Sequence, residues 1–267
     1  MLAGCCSGHW FVVEPQSFGL VATSGQICEC VTLVHNNADR FFLLSPAKGL
    51  VGGYIVLQLL ARGTPPSAIR ILDIRRTERR DMLSPDHATS KVAFVETDIT
   101  SPISVEAAFS LPWGEGVAHL PLTVFHTAAV ILPSERSERE YWLPEAVNIR
   151  GTKNVLAAAR KHGASIFSAT SSASISIKPV QPIVAPWARE PRNFFQLLSL
   201  DDFSKPLRHR TGYFANYPAS KAVAERMVCD ENEDSFRTGS IRPANGVYGI
   251  PADNMIGAYF FKDVVDT

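Results

Sequence analysis

The sequence predicts an α/β fold in which a parallel sheet is covered by helices on both faces. Two observations support this class. Strand-like and helix-like runs alternate from residue 39 onward, and the strand-like runs are mostly apolar. Strands buried on both faces read as near-continuous apolar runs, whereas strands of a half-exposed sheet alternate apolar and polar residues. We therefore expect a doubly wound parallel sheet, the architecture typical of dinucleotide-binding (Rossmann) domains.

Six segments are predicted as strands because they are short, apolar and bounded by turn residues. In chain order they are 40–44 (RFFLL), 68–73 (AIRILD), 91–99 (KVAFVETDI), 122–129 (LTVFHTAA), 164–174 (ASIFSATSSAS) and 237–249 (RTGSIRPANGVYG), the last two running into loops. Helices are predicted between them because their apolar runs are longer and end at glycine or follow proline. They are 49–62 before Gly63, a helix starting in 104–111 after Ser101-Pro102, 144–163 ending at Gly163, and 217–231.

These elements define the expected domain organisation. Residues 39–250 form the NAD(P)-binding domain, in which the Pro-rich and aromatic stretch 178–216 is a loop insertion on the substrate side. A long segment without regular structure inside a compact domain is usually functional. Residues 251–267 are interpreted as the start of an incomplete, truncated C-terminal substrate lobe, and residues 1–38 remain unassigned.

The composition excludes several classes of function. Lys plus Arg equals Asp plus Glu at 26 each, so no basic excess is present to bind a nucleic-acid backbone. The five cysteines lack histidines at zinc spacing, which favours reduced thiols in the cytoplasm and no metal site. No apolar run is long enough to cross a bilayer, and no signal peptide is evident. We expect the protein in the cytoplasm, or at the surface of internal membranes.

The candidate catalytic pair is Tyr217 and Lys221, which form Tyr-x-x-x-Lys at the start of a predicted helix. Residues four apart lie on one helical face. An ammonium beside a phenol stabilises the phenolate and lowers the phenol's pKa, so Tyr217 can exchange a proton with an alcohol or carbonyl.

Two further polar groups are expected near this pair. Ser171 and Ser172 end the fifth strand, at the carboxyl edge where open α/β sheets bind ligands, so a serine hydroxyl there can orient a substrate oxygen. The alternative is that these serines only cap the strand end. Asn148 lies inside a helix, where asparagine is mildly unfavourable, and it can hold a water that carries protons away from Lys221.

The cofactor residues are expected at the ends of the earlier strands. Gly49 and Gly52 lie in a turn between strand and helix, and Asp73 follows Gly52 by 21 residues at a strand end, where it can bind ribose hydroxyls. Arg75 and Arg76 could instead take the 2′-phosphate of NADP, so NAD is favoured and NADP is the alternative. The remaining candidates end the third and fourth strands and are Asp98, Ile99, Thr127, Ala128 and Ala129.

In this order and spacing, the motifs resemble the extended short-chain dehydrogenases/reductases, and within them the 3β-hydroxysteroid dehydrogenase and sterol-4α-carboxylate 3-dehydrogenase family. The segments that carry the resemblance are ILDIRR, DITSPISVEAAF, VFHTAAVI, VNIRGTKNVLAAAR, TSSASI, YPASKAVAE and IRPANGVYG. It implies NAD(P)-linked oxidation of a secondary alcohol on a sterol-like ring, with a homodimer as a further expectation. By analogy Tyr217 is the general base, Lys221 tunes it and binds ribose, and Ser172 orients the substrate. Asn148 holds a relay water, and Arg242-Pro243 lies near the nicotinamide.

The sequence departs from the family at the predicted phosphate-binding turn. Pro46 stands where a glycine is expected, and its ring fixes φ and removes an N–H donor, so we expect weakened cofactor binding. Relatives also continue beyond residue 267. Two alternatives therefore stay open: another extended reductase or epimerase acting on a flavonoid-like carbonyl or a nucleotide sugar, or a degenerate, non-catalytic cofactor-binding protein. Few charges in the substrate region argue against a sugar nucleotide.

Overall fold

A computed structural model describes most of the chain from residue 40 onward. The described residues are 40–45, 49–77, 82, 87–132, 135–181, 187, 191–196, 203 and 205–243, with the backbone of three short strands before them. The predicted effect of Pro46 on cofactor binding and the predictions for residues 244–267 concern residues outside this part of the chain.

In the part of the chain that the structure describes, nine strands form one sheet. They are β1 (Leu2–Cys5), β2 (Trp10–Val13), β3 (Leu20–Ala22), β4 (Phe41–Ser45), β5 (Ile69–Asp73), β6 (Ala93–Glu96), β7 (Leu122–His126), β8 (Ala164–Thr170) and β9 (Arg237–Arg242). Their order is β3-β2-β1-β9-β8-β7-β4-β5-β6. The six strands from β4 to β9 pair in parallel, which confirms the predicted doubly wound sheet.

The unassigned leader adds to this sheet. β2 pairs antiparallel with both β1 and β3, and β1 pairs antiparallel with β9. The sequence of this region shows no clean period, so the pairing was not predicted.

Four helical elements connect the parallel strands. They are α1 (Leu50–Ala61), α2 (Pro102–Ser110), α3 and α4 (Asn216–Asp230). Helix α3 combines an α-helical turn (Trp142–Pro144), a π-helical segment (Glu145–Gly151) and a further α-helix (Thr152–Lys161). No helix in the described part of the chain is long and apolar enough to span a bilayer.

The core lies on both faces of the parallel sheet, because successive strand residues face opposite sides. Phe41 and Leu43 of β4 pack in the cluster that includes Val155 of α3 and Val228 of α4. Phe42 and Leu44 pack with α1 in a second cluster. β4 is therefore buried on both faces, as its continuous apolar sequence predicts.

Candidate active site

The strand order reverses between β4 and β7, and open α/β sheets bind ligands in the crevice at that point. Ser45 and His126, the last residues of these two strands, are paired across the ladder. The predicted catalytic and cofactor residues follow the carboxyl ends of the parallel strands or lie on the helices that cover them. The fold therefore brings most of them to one edge of the sheet.

Helix α4 is fixed at its start by Asn216. The Asn216 amide donates to the carbonyl of Ser137 at 2.7 Å, and its backbone N–H donates to the carbonyl of Glu135 at 2.8 Å. Arg210 donates to the Asn216 side-chain oxygen at 3.2 Å. These bonds hold the first turn of α4, which carries Tyr217, against the loop that follows β7.

Tyr217 and Ser172 meet at this edge. Their side chains share a hydrogen bond, and the Ser172 hydroxyl also lies 2.8 Å from the Ser174 hydroxyl. Burial raises the pKa of Tyr217 above its ordinary value, and the Ser172 hydrogen bond opposes that rise. The expected lowering by Lys221 is not among the causes of this shift. Ser172 also accepts a hydrogen bond from the Ser174 N–H at 3.2 Å, so it caps the 3₁₀ turn Ala173–Ser176 that follows β8. This capping is similar to the alternative role considered for the two serines.

Lys221 is buried, with 3% of its surface exposed. Burial lowers its pKa to about 8, and the carboxylate of Glu225 opposes this effect. Among the described residues, no side chain or carbonyl accepts a hydrogen bond from its ammonium group. A buried cation without acceptors is costly, so a group that brings hydroxyl or carbonyl oxygens would bind favourably here.

A buried histidine, His126, lies close enough to Lys221 to feel its charge. Its Nε2 is 2.9 Å from Thr152 Oγ1, and that hydroxyl donates to the Asn148 carbonyl at 2.7 Å. Because the Thr152 proton is used in this way, Nε2 carries the proton toward Thr152 and Nδ1 is left as an acceptor. Burial, with a further contribution from Lys221, lowers the pKa of His126 to about 3. The ring is therefore neutral near pH 7.

Asn148 lies in the π-helical segment and is fully buried. Its Oδ1 accepts from Val130 N–H at 2.8 Å, and its Nδ2 donates to Val130 O at 3.0 Å and to Ser220 Oγ at 2.9 Å. Ser220 in turn donates to the Tyr217 carbonyl at 2.8 Å. Asn148 therefore joins α3 to α4 directly behind Tyr217. One Oδ1 lone pair remains for a water, and the relay role stays a prediction.

The predicted phosphate-binding residues lie at the start of α1. Gly49 is its N-cap in an extended conformation, no side chain caps the helix, and its first turn has no acidic residue. Among the described residues, no atom lies within 4 Å of a Cβ added at Gly49. Gly52 is buried in the first turns of α1. An uncapped helix N-terminus beside open space suits an anionic group.

The other predicted cofactor residues differ in their surroundings. Asp73 ends β5 and is buried. Asp98 is exposed and accepts from the Thr100 N–H and hydroxyl, each at 2.8 Å. Ile99 is buried in the core, where it touches Gly151 of α3 closely enough that a Cβ there would lie 2.7 Å from its Cδ1. Asp98 shapes the turn after β6, while Ile99 contributes mainly to packing.

The small residues after β7 and the residue after β9 are held by backbone bonds. The N–H groups of Thr127 and Ala128 donate to the Ser45 carbonyl at 2.6 and 3.0 Å, and the Ala173 N–H donates to the Pro243 carbonyl at 2.9 Å. Ala128 is buried, whereas Ala129 is half-buried.

Four buried side-chain atoms lack hydrogen-bond partners in the described residues, and three of them lie at the carboxyl ends of the adjacent strands β4, β7 and β8: Ser45 Oγ, His126 Nδ1 and Ser171 Oγ. Unpartnered buried polar groups are uncommon in folded proteins and indicate a missing ligand or water.

The aromatic residues of the insertion divide into two groups. Trp187, Phe194 and Phe195 are 87%, 56% and 76% exposed. Tyr213 is buried in a small cluster with Ile175. The three exposed rings are therefore available to contact a ligand or partner, while Tyr213 supports the turn before α4.

Two charged residues near the site were not singled out as a pair from the sequence. Glu225 and Arg242 are both buried and form an ion pair behind Lys221. The signal available was the four-residue spacing of Tyr217, Lys221 and Glu225, which puts all three on one face of α4. A second correction concerns the thiols: Cys229 is disulfide-bonded, contrary to the expectation of reduced cysteines.

Comparison with known proteins places the site in a family. The model of the 3-beta hydroxysteroid dehydrogenase/isomerase family matches residues 43–186, just over half of the chain. A 3-beta-hydroxysteroid dehydrogenase of Mycolicibacterium neoaurum is 30% identical over 215 residues, covering 78% of this chain and 47% of that protein. A decarboxylating sterol-4-alpha-carboxylate 3-dehydrogenase of Candida albicans is 27% identical, covering 80% of this chain and 52% of that protein. The chain spans about half the length of these relatives.

A solved structure supports the fold. The Bordetella bronchiseptica enzyme WbmH, solved in complex with NAD+, matches with a TM-score of 0.52 and 23% identity, covering 85% of this chain and 62% of that one. At this identity the match bears on the fold alone.

Proposed function

The chain belongs to the 3-beta hydroxysteroid dehydrogenase/isomerase family, and on that premise we propose that it serves NAD(P)-dependent oxidation of a secondary alcohol on a sterol- or steroid-like substrate. The relatives named above act, by their names, on 3β-hydroxysteroids and sterol carboxylates. A sterol-like substrate would place the protein in the cytoplasm or at the surface of internal membranes, and a homodimer is a further expectation by analogy.

One observation carries the proposal. The Tyr217 hydroxyl meets Ser172, and one helical turn further on Lys221 is buried with no acceptor for its ammonium group among the described residues. A phenol, a hydroxyl and an ammonium on neighbouring elements are the groups needed to orient an alcohol and remove its proton. The ammonium is also free to bind hydroxyl groups of a ribose.

The residues at the crevice fit a dinucleotide. The uncapped start of α1 at Gly49 would receive the pyrophosphate, Asp73 the adenosine ribose, and Lys221 the other ribose. The unpartnered atoms of His126 and Ser45 would be satisfied by polar groups bound in the crevice. When bound, the nicotinamide cofactor accepts the hydride from the alcohol carbon.

NAD is preferred over NADP in this proposal. A carboxylate at Asp73 repels a 2′-phosphate. The guanidinium of Arg76, an alternative phosphate ligand, stacks over the ring of Phe94 at 4.9 Å. Arg75 is exposed beside it and would have to bind the phosphate alone.

The chemistry assigned to the side chains is a proton transfer. Burial raises the pKa of Tyr217, so its phenol is protonated before the reaction. For oxidation the phenol must first lose this proton to solvent, and the phenolate then accepts the substrate's hydroxyl proton. Ser172 holds the substrate oxygen during this step, while Asn148, through Ser220, keeps Tyr217 in place.

The test is a binding titration followed by a turnover assay. NADH binding is measured by fluorescence. NAD reduction is then measured with a 3β-hydroxysteroid, and conversion of UDP-glucose to its C4 epimer is measured separately, because epimerisation leaves no net NADH. Tyr217→Phe should lower kcat at least about a hundredfold while NADH binding is unchanged, because only the proton carrier is removed. Tyr141→Phe is the matched control: its half-buried ring lies under Arg210, and its loss of a hydroxyl should leave both measurements unchanged.

Three results would contradict the proposal in different ways. Turnover with UDP-glucose alone would favour the sugar-nucleotide alternative. NADH binding without turnover of any alcohol would favour a non-catalytic protein. Full activity in Tyr217→Phe would remove the assigned general base.

A further inference from the structure

The catalytic helix α4 carries a buried carboxylate one turn beyond Lys221. Glu225 is 5% exposed and Arg242, the last residue of β9, is 4% exposed. Arg242 Nε lies 3.0 and 2.9 Å from the two carboxylate oxygens of Glu225, and its Nη2 donates to the same group. This is a two-pronged buried ion pair between the helix and the sheet.

A buried ion pair is a poor means of stabilising a fold, because desolvation of both charges offsets most of their attraction. What the pair contacts is therefore more informative than its strength. Arg242 also donates from Nη1 to Ser176 Oγ at 3.3 Å. Ser176 ends the serine turn, residues 172–176, whose first residue is Ser172. One guanidinium thus links the helix of Tyr217 to the turn of Ser172.

The backbone holds the same turn to the end of β9. Ser171 N–H donates to the Ile241 carbonyl at 2.7 Å, and Ala173 N–H donates to the Pro243 carbonyl at 2.9 Å. These bonds flank Arg242 on both sides. The turn is therefore tied to β9, and β9 is tied to α4 through the side chain of Arg242.

Glu225 also acts on Lys221 by charge. Burial lowers the pKa of Lys221, and the Glu225 carboxylate raises it. Besides Glu225, His126 of β7 interacts electrostatically with Lys221, Tyr217 precedes Lys221 by one turn of α4, and Arg242 of β9 lies behind Glu225. His126 is neutral near pH 7, so Glu225 is the nearby group of opposite charge.

We infer that Glu225 and Arg242 are positioning residues for the reaction: they hold the serine turn against α4 and place a negative charge beneath Lys221, so that Ser172, Tyr217 and Lys221 share one geometry. This inference rests on the proposed function for its effect on turnover. Its effect on Lys221 can be measured without any substrate.

The first experiment measures the ionisation of Lys221 directly. The whole protein is labelled with acetic anhydride over a range of pH, and the modification of Lys221 is quantified by mass spectrometry of its peptide. In Glu225→Gln the midpoint of labelling should move to lower pH by about one unit, because the opposing charge is lost. Glu231→Gln, just past the end of the same helix and in an exposed pair with Arg160, is the control and should leave the midpoint unchanged.

Removing Glu225 alone leaves Arg242 buried without its partner, so this variant can fail to fold. The double variant Glu225→Gln/Arg242→Met removes both charges with similar volume and should fold, as judged by circular dichroism and thermal unfolding. Its labelling midpoint should move in the same direction by a smaller amount, because the more distant positive charge of Arg242 is lost together with the carboxylate. With a steroid that the wild type oxidises, the double variant should also lower kcat roughly ten- to a hundredfold with little change in KM. The reason is that the orientation of Ser172, Tyr217 and Lys221 is lost while substrate binding is kept.

The outcomes separate the two claims. A folded double variant with an unchanged Lys221 midpoint and unchanged kcat overturns the inference. Failure of both variants to fold also overturns it, in favour of a purely structural pair. If the wild type oxidises no alcohol, the proposed function fails while a labelling shift still supports the placement of Glu225 beneath Lys221.

Discussion

Acid should destabilise this protein through one buried ring. His126 is 1% exposed and its pKa is lowered by burial to about 3, from an ordinary value of 6.5. In the unfolded chain the ring binds a proton near pH 6.5, while in the folded protein it stays neutral. A lowered folded-state pKa of a base means that stability is full above pH 6.5 and is lost as the pH falls toward 3.

The size of the effect follows from the two pKa values. Each unit between them changes the free energy of unfolding by up to about 1.4 kcal/mol. Between pH 7.5 and pH 5.0 the His126 contribution should therefore fall by about 2 kcal/mol. This is a large part of the 5–15 kcal/mol that is typical of folded proteins, so the difference is measurable.

The assay is urea unfolding at both pH values, compared between the wild type and His126→Gln. Glutamine can keep the donor to Thr152 but cannot take up a proton, so this variant should lose about 2 kcal/mol less between pH 7.5 and 5.0 than the wild type does. His119→Gln is the control, because His119 lies exposed on the surface. Equal losses in the wild type and His126→Gln would refute the reasoning.

Three further substitutions test the packing around the site. Gly151→Ala should destabilise the protein by about 1 kcal/mol in urea unfolding, because its Cβ would lie 2.7 Å from Ile99 Cδ1, and Ile99→Val should relieve part of the loss. Thr152→Val should cost about 2 kcal/mol, since it leaves the buried His126 ring N–H without its acceptor; an unchanged urea midpoint would contradict the hydrogen-bond assignment. Trp187→Ser should change stability by less than about 0.5 kcal/mol, since the ring is 87% exposed, so any rise in KM for a steroid would indicate contact with substrate.

The fold could be predicted from the sequence because each parallel strand has its own local pattern of apolar residues. β4 and β5 are apolar along their length and every residue in them is buried, which is the pattern that the prediction used. The third strand was predicted as 91–99 but spans Ala93–Glu96. Residues 88–91 form a 3₁₀ turn before it, and the side chain of Asp98 caps a turn after it. At both ends the residues form hydrogen-bonded turns, so the strand is shorter than its apolar content predicts.

The helix predicted over 144–163 shows a second limit. It begins at Trp142 and contains a seven-residue π-helical segment, Glu145–Gly151. Over seven residues the side-chain period of a π-helix cannot be told from that of an α-helix by apolar spacing. π-helical segments inside helices occur frequently at functional sites, and this one holds Asn148.

The residues of the candidate site also fall into those that a local pattern predicts and those that it does not. That Tyr217 and Lys221 share one face of α4 was predictable, because it depends only on a spacing of four within one helix. The supports of that pair were not, because they join distant parts of the chain: Asn148 bonds Ser220, 72 residues away, and Arg242 bonds Glu225 from another element. Such bonds are set by where the sheet brings its strand ends, and no local pattern marks them. The candidate reactive groups of this site can therefore be found by motif, whereas the residues proposed to orient them follow only from the assembled fold. Substitutions at Glu225 and Asn148 are the ones that would separate reactivity from orientation.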